Sequence, residues 1–153
     1  MKVQDIMTRD VKTCTTETTL PQVAKTMWSA GCGAVPVIDE RGKVVGIVTD
    51  RDISMALINT GRRPSQVPAR EAMTHPPHAC GPEDDLQAAL QTMRRFKVHR
   101  LPVLSAGGSL AGILSVDDII VRALAPDAPS SADIVTALRQ ICDYGWREPE
   151  LVA

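Results

Sequence analysis

The sequence predicts an α+β fold in which two β-α-β-β-α repeats pack by pseudo-twofold symmetry and a short C-terminal helix follows. Three observations predict it. The chain aligns with itself without a gap: Met7-Thr8 falls on Met73-Thr74, Cys14 on Cys80, Leu20 on Leu86, Pro36-Val37 on Pro102-Val103, Gly46-Ile47 on Gly112-Ile113 and Asp52-Ile53 on Asp118-Ile119. Each copy carries a helix-spaced apolar face followed by two short β-branched runs around a polar turn. Hydrophobic residues make up 44% of the chain and aromatics 3%, so the core is aliphatic, and a single copy is too small to bury its sheet alone.

Residues 1–60 form the first copy and 67–125 the second. Each reads strand, helix, strand, strand, helix. In the first helix Leu20, Val23, Ala24, Met27 and Trp28 recur on one face; Leu86, Ala89, Leu90, Met93 and Phe96 repeat it. Residues 34–38 and 44–48 are too short for helices and read as strands joined through a turn at Gly42. Residues 101–104 and 110–114 match them around Gly107-Gly108. Helices over 50–59 and 116–124 close the copies. The stretch 60–68, with Arg62, Arg63, Pro64 and Pro68, is a linker, and 126–131 is a second. The tail, within 126–153, sets Ile134, Val135, Leu138, Ile141 and Cys142 at helical spacing, with Ser131 or Asp133 as cap. Tyr144 and Trp146 follow. Such a helix docks on its own domain, on a twin subunit or on a partner, and the sequence leaves these open.

Composition excludes several classes. Lys plus Arg is 17 against 18 Asp plus Glu, a formal charge of −1, which argues against a polybasic nucleic-acid binder. The scarcity of aromatics leaves almost no stacking platform for single strands. No apolar run is long enough to span a bilayer, and the first residues lack a signal-peptide core. Four cysteines without a CxxC are too few for a disulfide scaffold, so reduced thiols in the cytoplasm are expected. No Walker, nucleophile-elbow, zincin or Rossmann motif occurs, and the residues after Ala125 leave no room for a catalytic domain, so no enzyme activity is expected.

The segments Gly46-Ile47-Val48-Thr49-Asp50-Arg51-Asp52-Ile53 and Gly112-Ile113-Leu114-Ser115-Val116-Asp117-Asp118-Ile119 resemble the signature of the CBS (cystathionine β-synthase) domain. So do Asp5-Ile6-Met7-Thr8 and Glu71-Ala72-Met73-Thr74, and Ala34-Val35-Pro36-Val37 and Arg100-Leu101-Pro102-Val103. The resemblance covers residues 1–125. It implies a stand-alone tandem pair of CBS repeats (a Bateman-type module) that associates into a homodimer. It also implies two clefts for adenosine-containing ligands, AMP most simply and otherwise ADP, ATP or S-adenosylmethionine, and signalling to an unidentified regulated protein.

Carried over residue by residue, the first cleft uses Asp118 for ribose, Ser115 and Arg100 for phosphate and Ile113 against the base. Residues 8–13, with Thr8, Lys12 and Thr13, and Cys32, Gly33 and Ala34 form its opposite wall. The second uses Asp52 for ribose, Thr49 and Arg51 for phosphate and Ile47 for packing, with 74–79, including His78, and Val98 and His99 opposite. A hydroxyl at a strand-to-helix junction beside free N–H groups suits a phosphate. Thr49-x-x-Asp52 and Ser115-x-x-Asp118 are also capping-box patterns. Their recurrence after a strand glycine favours the nucleotide reading, and both roles can share one site.

The copies differ in charge. Arg100 aligns with Ala34 and Arg51 with Asp117, so the middle-strand Arg is expected in the first cleft only and the helix-start Arg in the second only. Asp117 argues against a triphosphate in the first cleft unless a metal accompanies it. Arg94-Arg95-Phe96-Lys97-Val98-His99-Arg100 is a dense positive stretch, read as cations complementing a helix C-terminus rather than a nucleic-acid contact. Two other readings compete. One is a ligand-free structural dimerisation module. The other is a metal- or redox-responsive protein through His75, His78 and Cys80, against which stands the plainer reading of a solvated Pro-rich loop. Cys14 and Cys80 form either a redox pair near the pseudo-twofold axis or two buried structural thiols.

Overall fold

Helix boundaries follow the punctuation of the sequence. In the computed structural model, which describes residues 1–143, α1 (Leu20–Ala30) starts at a Thr19/Gln22 capping box with Pro21 in its first turn. It stops at Gly31, whose φ of 61° closes the helix in the left-handed conformation. The equivalent helix α3 (Leu86–Phe96) starts at Asp85 and stops at Lys97, which holds a φ of 53° without the freedom of glycine. The remaining helices are α2 (Asp50–Thr60), α4 (Val116–Val121) and α5 (Ser131–Cys142).

The strands are β1 (Cys14–Thr15), β2 (Ala34–Ile38), β3 (Val44–Thr49), β4 (Arg100–Leu104) and β5 (Leu110–Ser115). β1 pairs parallel with β2, and β2 antiparallel with β3. β4 and β5 form the matching hairpin, and both hairpins shift register at the same place, after Val37 and after Val103. In the second copy the first strand shrinks to a single parallel bridge from Cys80 to Val103. The fold is thus α+β, with two copies of the predicted unit.

The repeats exchange their leading segments. The 3-10 turn Val3–Asp5 runs beside the second repeat: Val3 N donates to Asp84 O and Leu86 N to Met1 O. Val3 and Met7 are buried there with Leu86, Leu90, Met93, Leu101, Val103 and Leu114. Conversely, Ala69 is buried with Val23, Met27, Val35, Val37 and Val48, while Val67 packs with Leu20 and Ala56. The isolated bridges Lys2–Asp85 and Thr19–Pro68 stand at equivalent places of the two copies.

Four details depart from the sequence-based expectation. Trp28 is 89% exposed, because it lies about 80° round the helix from Leu20 and passes beyond the buried stripe. Phe96 is also at the surface, where its ring stacks on His78 at 3.7 Å. α4 ends at Val121 rather than at 124; Pro126 disfavours helical geometry at Ala125, and a turn replaces the last expected residues. α5 is capped by Ser130, whose Oγ accepts from Asp133 N, not by Ser131 or Asp133. Ile134, Ala137 and Ile141 bury α5 against the second repeat. Tyr144 and Trp146 lie outside the described residues.

Candidate functional site

The two signature segments sit where a strand feeds a helix. At the end of β3, Thr49 Oγ1 accepts from Asp52 N (3.2 Å), and Asp52 Oδ2 accepts from Thr49 N (2.8 Å) and Thr49 Oγ1 (2.7 Å). At the end of β5, Ser115 and Asp118 repeat this at 3.1, 2.7 and 2.6 Å. Both are complete capping boxes. Each spends only Oδ2 of its aspartate; Oδ1 of Asp52 and of Asp118 takes no hydrogen bond among the described residues.

The opposite walls come from the other repeat. Thr8 N donates to Ile113 O and Ile113 N to Thr8 O, both at 2.9 Å, so the loop after the first 3-10 turn lies on β5. Thr74 and Ile47 make the same pair at 2.9 and 3.1 Å. The signature glycines make room for this crossing. A Cβ on Gly112 would stand 2.7 Å from Thr8 O and 2.8 Å from Met7 Sδ; one on Gly46 would stand 2.5 Å from Met73 Sδ. The segment they admit at close range is the other repeat's Met-Thr pair.

Two clefts of similar size result. The first, about 290 Å³, brings together Thr8, Lys12, Cys32, Gly33, Ala34, Arg100, Ile113, Ser115 and Asp118, with Asp10 and Asp117 also on its wall. The second, about 300 Å³, brings together Ile47, Thr49, Arg51, Asp52, His78, Val98 and His99, with Thr74. Thr13 alone of the expected residues is on neither wall; it stands before buried Cys14 and is exposed.

Arg100 overturns one expectation: it lines both clefts, so it is not confined to the first. Its guanidinium passes close to Gly33, where a Cβ would lie in ordinary contact, 3.4 Å from both Arg100 Nη2 and Asp50 Oδ2. Sequence reasoning missed Asp50 and Lys97 in the second cleft and Ala30 and Gly31 in the first. A signal existed: Lys97 occupies the repeat position of Gly31, a helix stop where a lysine is out of place.

The cysteines separate. Cys14 is buried in the first core and Cys80 in the second. Burial pushes the Cys14 thiol up to about 11, and burial followed by Asp84 pushes that of Cys80 up to about 12. A thiol held neutral is a poor metal ligand and a poor redox nucleophile. His78 is committed to its stack on Phe96, and no group of three or more His, Cys, Asp or Glu able to hold a metal occurs among the described residues. No helix among them is long and apolar enough to cross a membrane.

Comparison with known proteins agrees with this architecture. The family model "CBS domain" matches twice, at residues 3–59 and 69–124. A CBS domain-containing protein of Bacillus subtilis is 32% identical over 130 residues, covering 85% of this chain and 91% of that one. An uncharacterized protein of Methanopyrus kandleri is 29% identical over 120 residues, 78% of this chain; the match spans 61% of its length. Inosine-5'-monophosphate dehydrogenase of Korarchaeum cryptofilum is 33% identical over 127 residues, covering 83% of this chain but 25% of the enzyme. Among solved structures, a conserved CBS domain protein of unknown function from Thermoplasma acidophilum superposes with a TM-score of 0.80 at 25% identity, covering 92% of this chain and 75% of that one. A CBS domain pair crystallised with 5'-methylthioadenosine and S-adenosyl-L-methionine has the same fold, with a TM-score of 0.73 at 24% identity over 79% of this chain and 94% of that one. On the two family matches and the shared architecture, the chain belongs to the CBS domain family, of which it carries a tandem pair.

Proposed function

We propose that this protein is a regulatory sensor that binds adenosine-containing ligands between its repeats and signals their presence to a partner protein. One observation carries the reading. Each cleft sets a hydroxyl at a strand end, a carboxylate with one oxygen unspent and an isoleucine against the other repeat's loop. A carboxylate oxygen left over by a cap suits a pair of ribose hydroxyls, and an aliphatic wall suits a purine face. In this reading Asp118 and Asp52 hold ribose, Ser115, Thr49, Arg51 and Arg100 approach phosphate, and Ile113 and Ile47 pack on the base. AMP is the simplest ligand that uses all of these, and the cytoplasm is where it is met. Because each cleft has walls from both repeats, a ligand that fits one relative arrangement better shifts the pair toward it.

A homodimer belongs to the same reading. Ile58 on α2 and Leu124 just past α4 occupy equivalent repeat positions and are 73% and 94% exposed; Met55 and Val121 beside them are exposed too. Two matched apolar strips on one molecule suit a self-complementary contact with a second copy.

The test is a thermal-shift titration with AMP, ADP, ATP and S-adenosylmethionine. A ligand at about 100 times its Kd adds about 2.7 kcal/mol, a rise of about 5–10 °C for a chain of this length. The rise is expected to shrink in Asp118→Ala or Asp52→Ala, each measured against its own unliganded baseline. No shift with any of the four at millimolar concentration overturns the reading.

A further inference from the structure

The two clefts are similar in size and opposite in charge. The first faces its ligand with Lys12 and Arg100 against Asp10, Asp117 and Asp118, and Lys12 Nζ is already paired with Asp10 Oδ1 at 2.9 Å. The second presents Arg51, Lys97 and Arg100 against Asp50 and Asp52. Two histidines, His78 and His99, also stand on its wall. Volume therefore cannot discriminate between ligands, and charge can.

Lys97 is the side chain that tips the balance. It ends α3 at a φ of 53°, at the repeat position where the first copy has Gly31 at 61°. A lysine held in left-handed backbone against its preference is an outlier that asks for a reason, and this one stands at a ligand cleft. Its side chain lines the second cleft, and its ammonium donates one hydrogen bond to Asp143 O at 2.6 Å, just past α5, out of the three that an ammonium can make. Arg51 is the other half of the contrast, because the first cleft has Asp117 at its position.

We propose that the clefts sort adenosine compounds by their phosphate charge. The second cleft takes a nucleoside di- or triphosphate, whose extra phosphates meet Arg51, Lys97 and Arg100. The first takes a nucleoside or a nucleoside compound with at most one phosphate, met by Arg100 and Ser115. This rests on the reading of both clefts as adenosine sites and adds which class each one prefers. It also gives the pair a means to report two compounds at once, one per cleft.

Isothermal titration of the full chain, without divalent cations, with ATP, AMP and adenosine tests it. ATP is expected to bind one site per chain, to be lost in Asp52→Ala and to survive in Asp118→Ala. Lys97→Gly copies the first repeat and keeps the backbone conformation, so folding is not at issue; thermal unfolding checks this. That variant is expected to weaken ATP at least tenfold while leaving adenosine binding within about twofold. Arg51→Ala is expected to act the same way. ATP affinity unchanged in Lys97→Gly and Arg51→Ala, or ATP lost in Asp118→Ala instead, overturns the sorting even if AMP binds both clefts. Failure of all three probes to bind removes the adenosine reading itself, and the sorting with it.

Discussion

Thr8 and Ile113 are joined by two backbone hydrogen bonds of 2.9 Å, one in each direction, across the boundary between the repeats. The neighbouring Gly112 is what lets them close, since a Cβ there would stand 2.7 Å from Thr8 O. Gly112→Ala must therefore move backbone, and a cost of about 1–3 kcal/mol is expected. Gly46→Ala meets the end of the Met73 side chain first, which can swing aside, with Thr74 O at 3.1 Å. Chemical denaturation should rank Gly112→Ala as the more damaging of the two. Equal effects would show that the two crossings do not differ in how far they can yield.

The four thiols should fall into two classes. Cys32 and Cys142 are exposed, while Cys14 and Cys80 are buried in separate cores. A thiol alkylating reagent at neutral pH is expected to add twice to the native chain and four times after denaturation, read by intact mass.

The same two buried thiols set a pH dependence. Their folded values, about 11 and about 12, lie above the ordinary 9.0, so above pH 9 the unfolded chain loses protons that the native one keeps. The stability they contribute is complete below pH 9 and is lost as pH rises toward 11–12, at a limiting slope of about 1.4 kcal/mol per pH unit and thiol. Melting temperature measured from pH 7 to 11 should fall more gently in Cys14→Ala/Cys80→Ala than in the natural chain.

α5 is held by Ile134, Ala137 and Ile141 against the second core, and by Arg94 Nε donating to Gln140 Oε1 at 2.7 Å. Ile141→Ala is expected to cost about 2–5 kcal/mol. Val135→Ala, on the exposed side, should stay near neutral. Denaturant midpoints check both; equal effects would mean that α5 does not dock as described.

Light scattering tests the second copy. Ile58→Glu or Leu124→Glu is expected to convert a dimer to a monomer without lowering the melting point of the monomer, because both side chains already face solvent. A natural chain that is monomeric at all concentrations removes the homodimer from the reading.

What was legible in the sequence was what repeats. The register from Met7 to Met73 showed the two copies, helical spacing located α1 and α3, and short β-branched runs around a polar turn located β2 and β3. The signature segments could be seen as caps and as sites, and the structure shows the cap taking one carboxylate oxygen and leaving the other. Less legible was whatever depends on side-chain reach. Alignment counts positions and so assigns Arg100 to one cleft, yet its long side chain lines both. Trp28 matched an apolar period that tolerates a residue about 80° off the stripe. Lys97 was hidden inside a run of cations whose plainest explanation was a helix C-terminus, and only its φ of 53° singles it out.

The exchanged leading segments bear on how the molecule could be divided. Cut in the linker near Arg63, the chain would give two fragments, each carrying the plug for the other's core: Val3 and Met7 on one, Val67 and Ala69 on the other. Neither half would complete its own interior, but mixed together they hold every contact needed to reassemble. The repeat that duplication copied and the body that folds are thus offset by a few residues. Unfolding should therefore be shared between the halves, and a ligand gripping either cleft should protect the amides of both from hydrogen exchange.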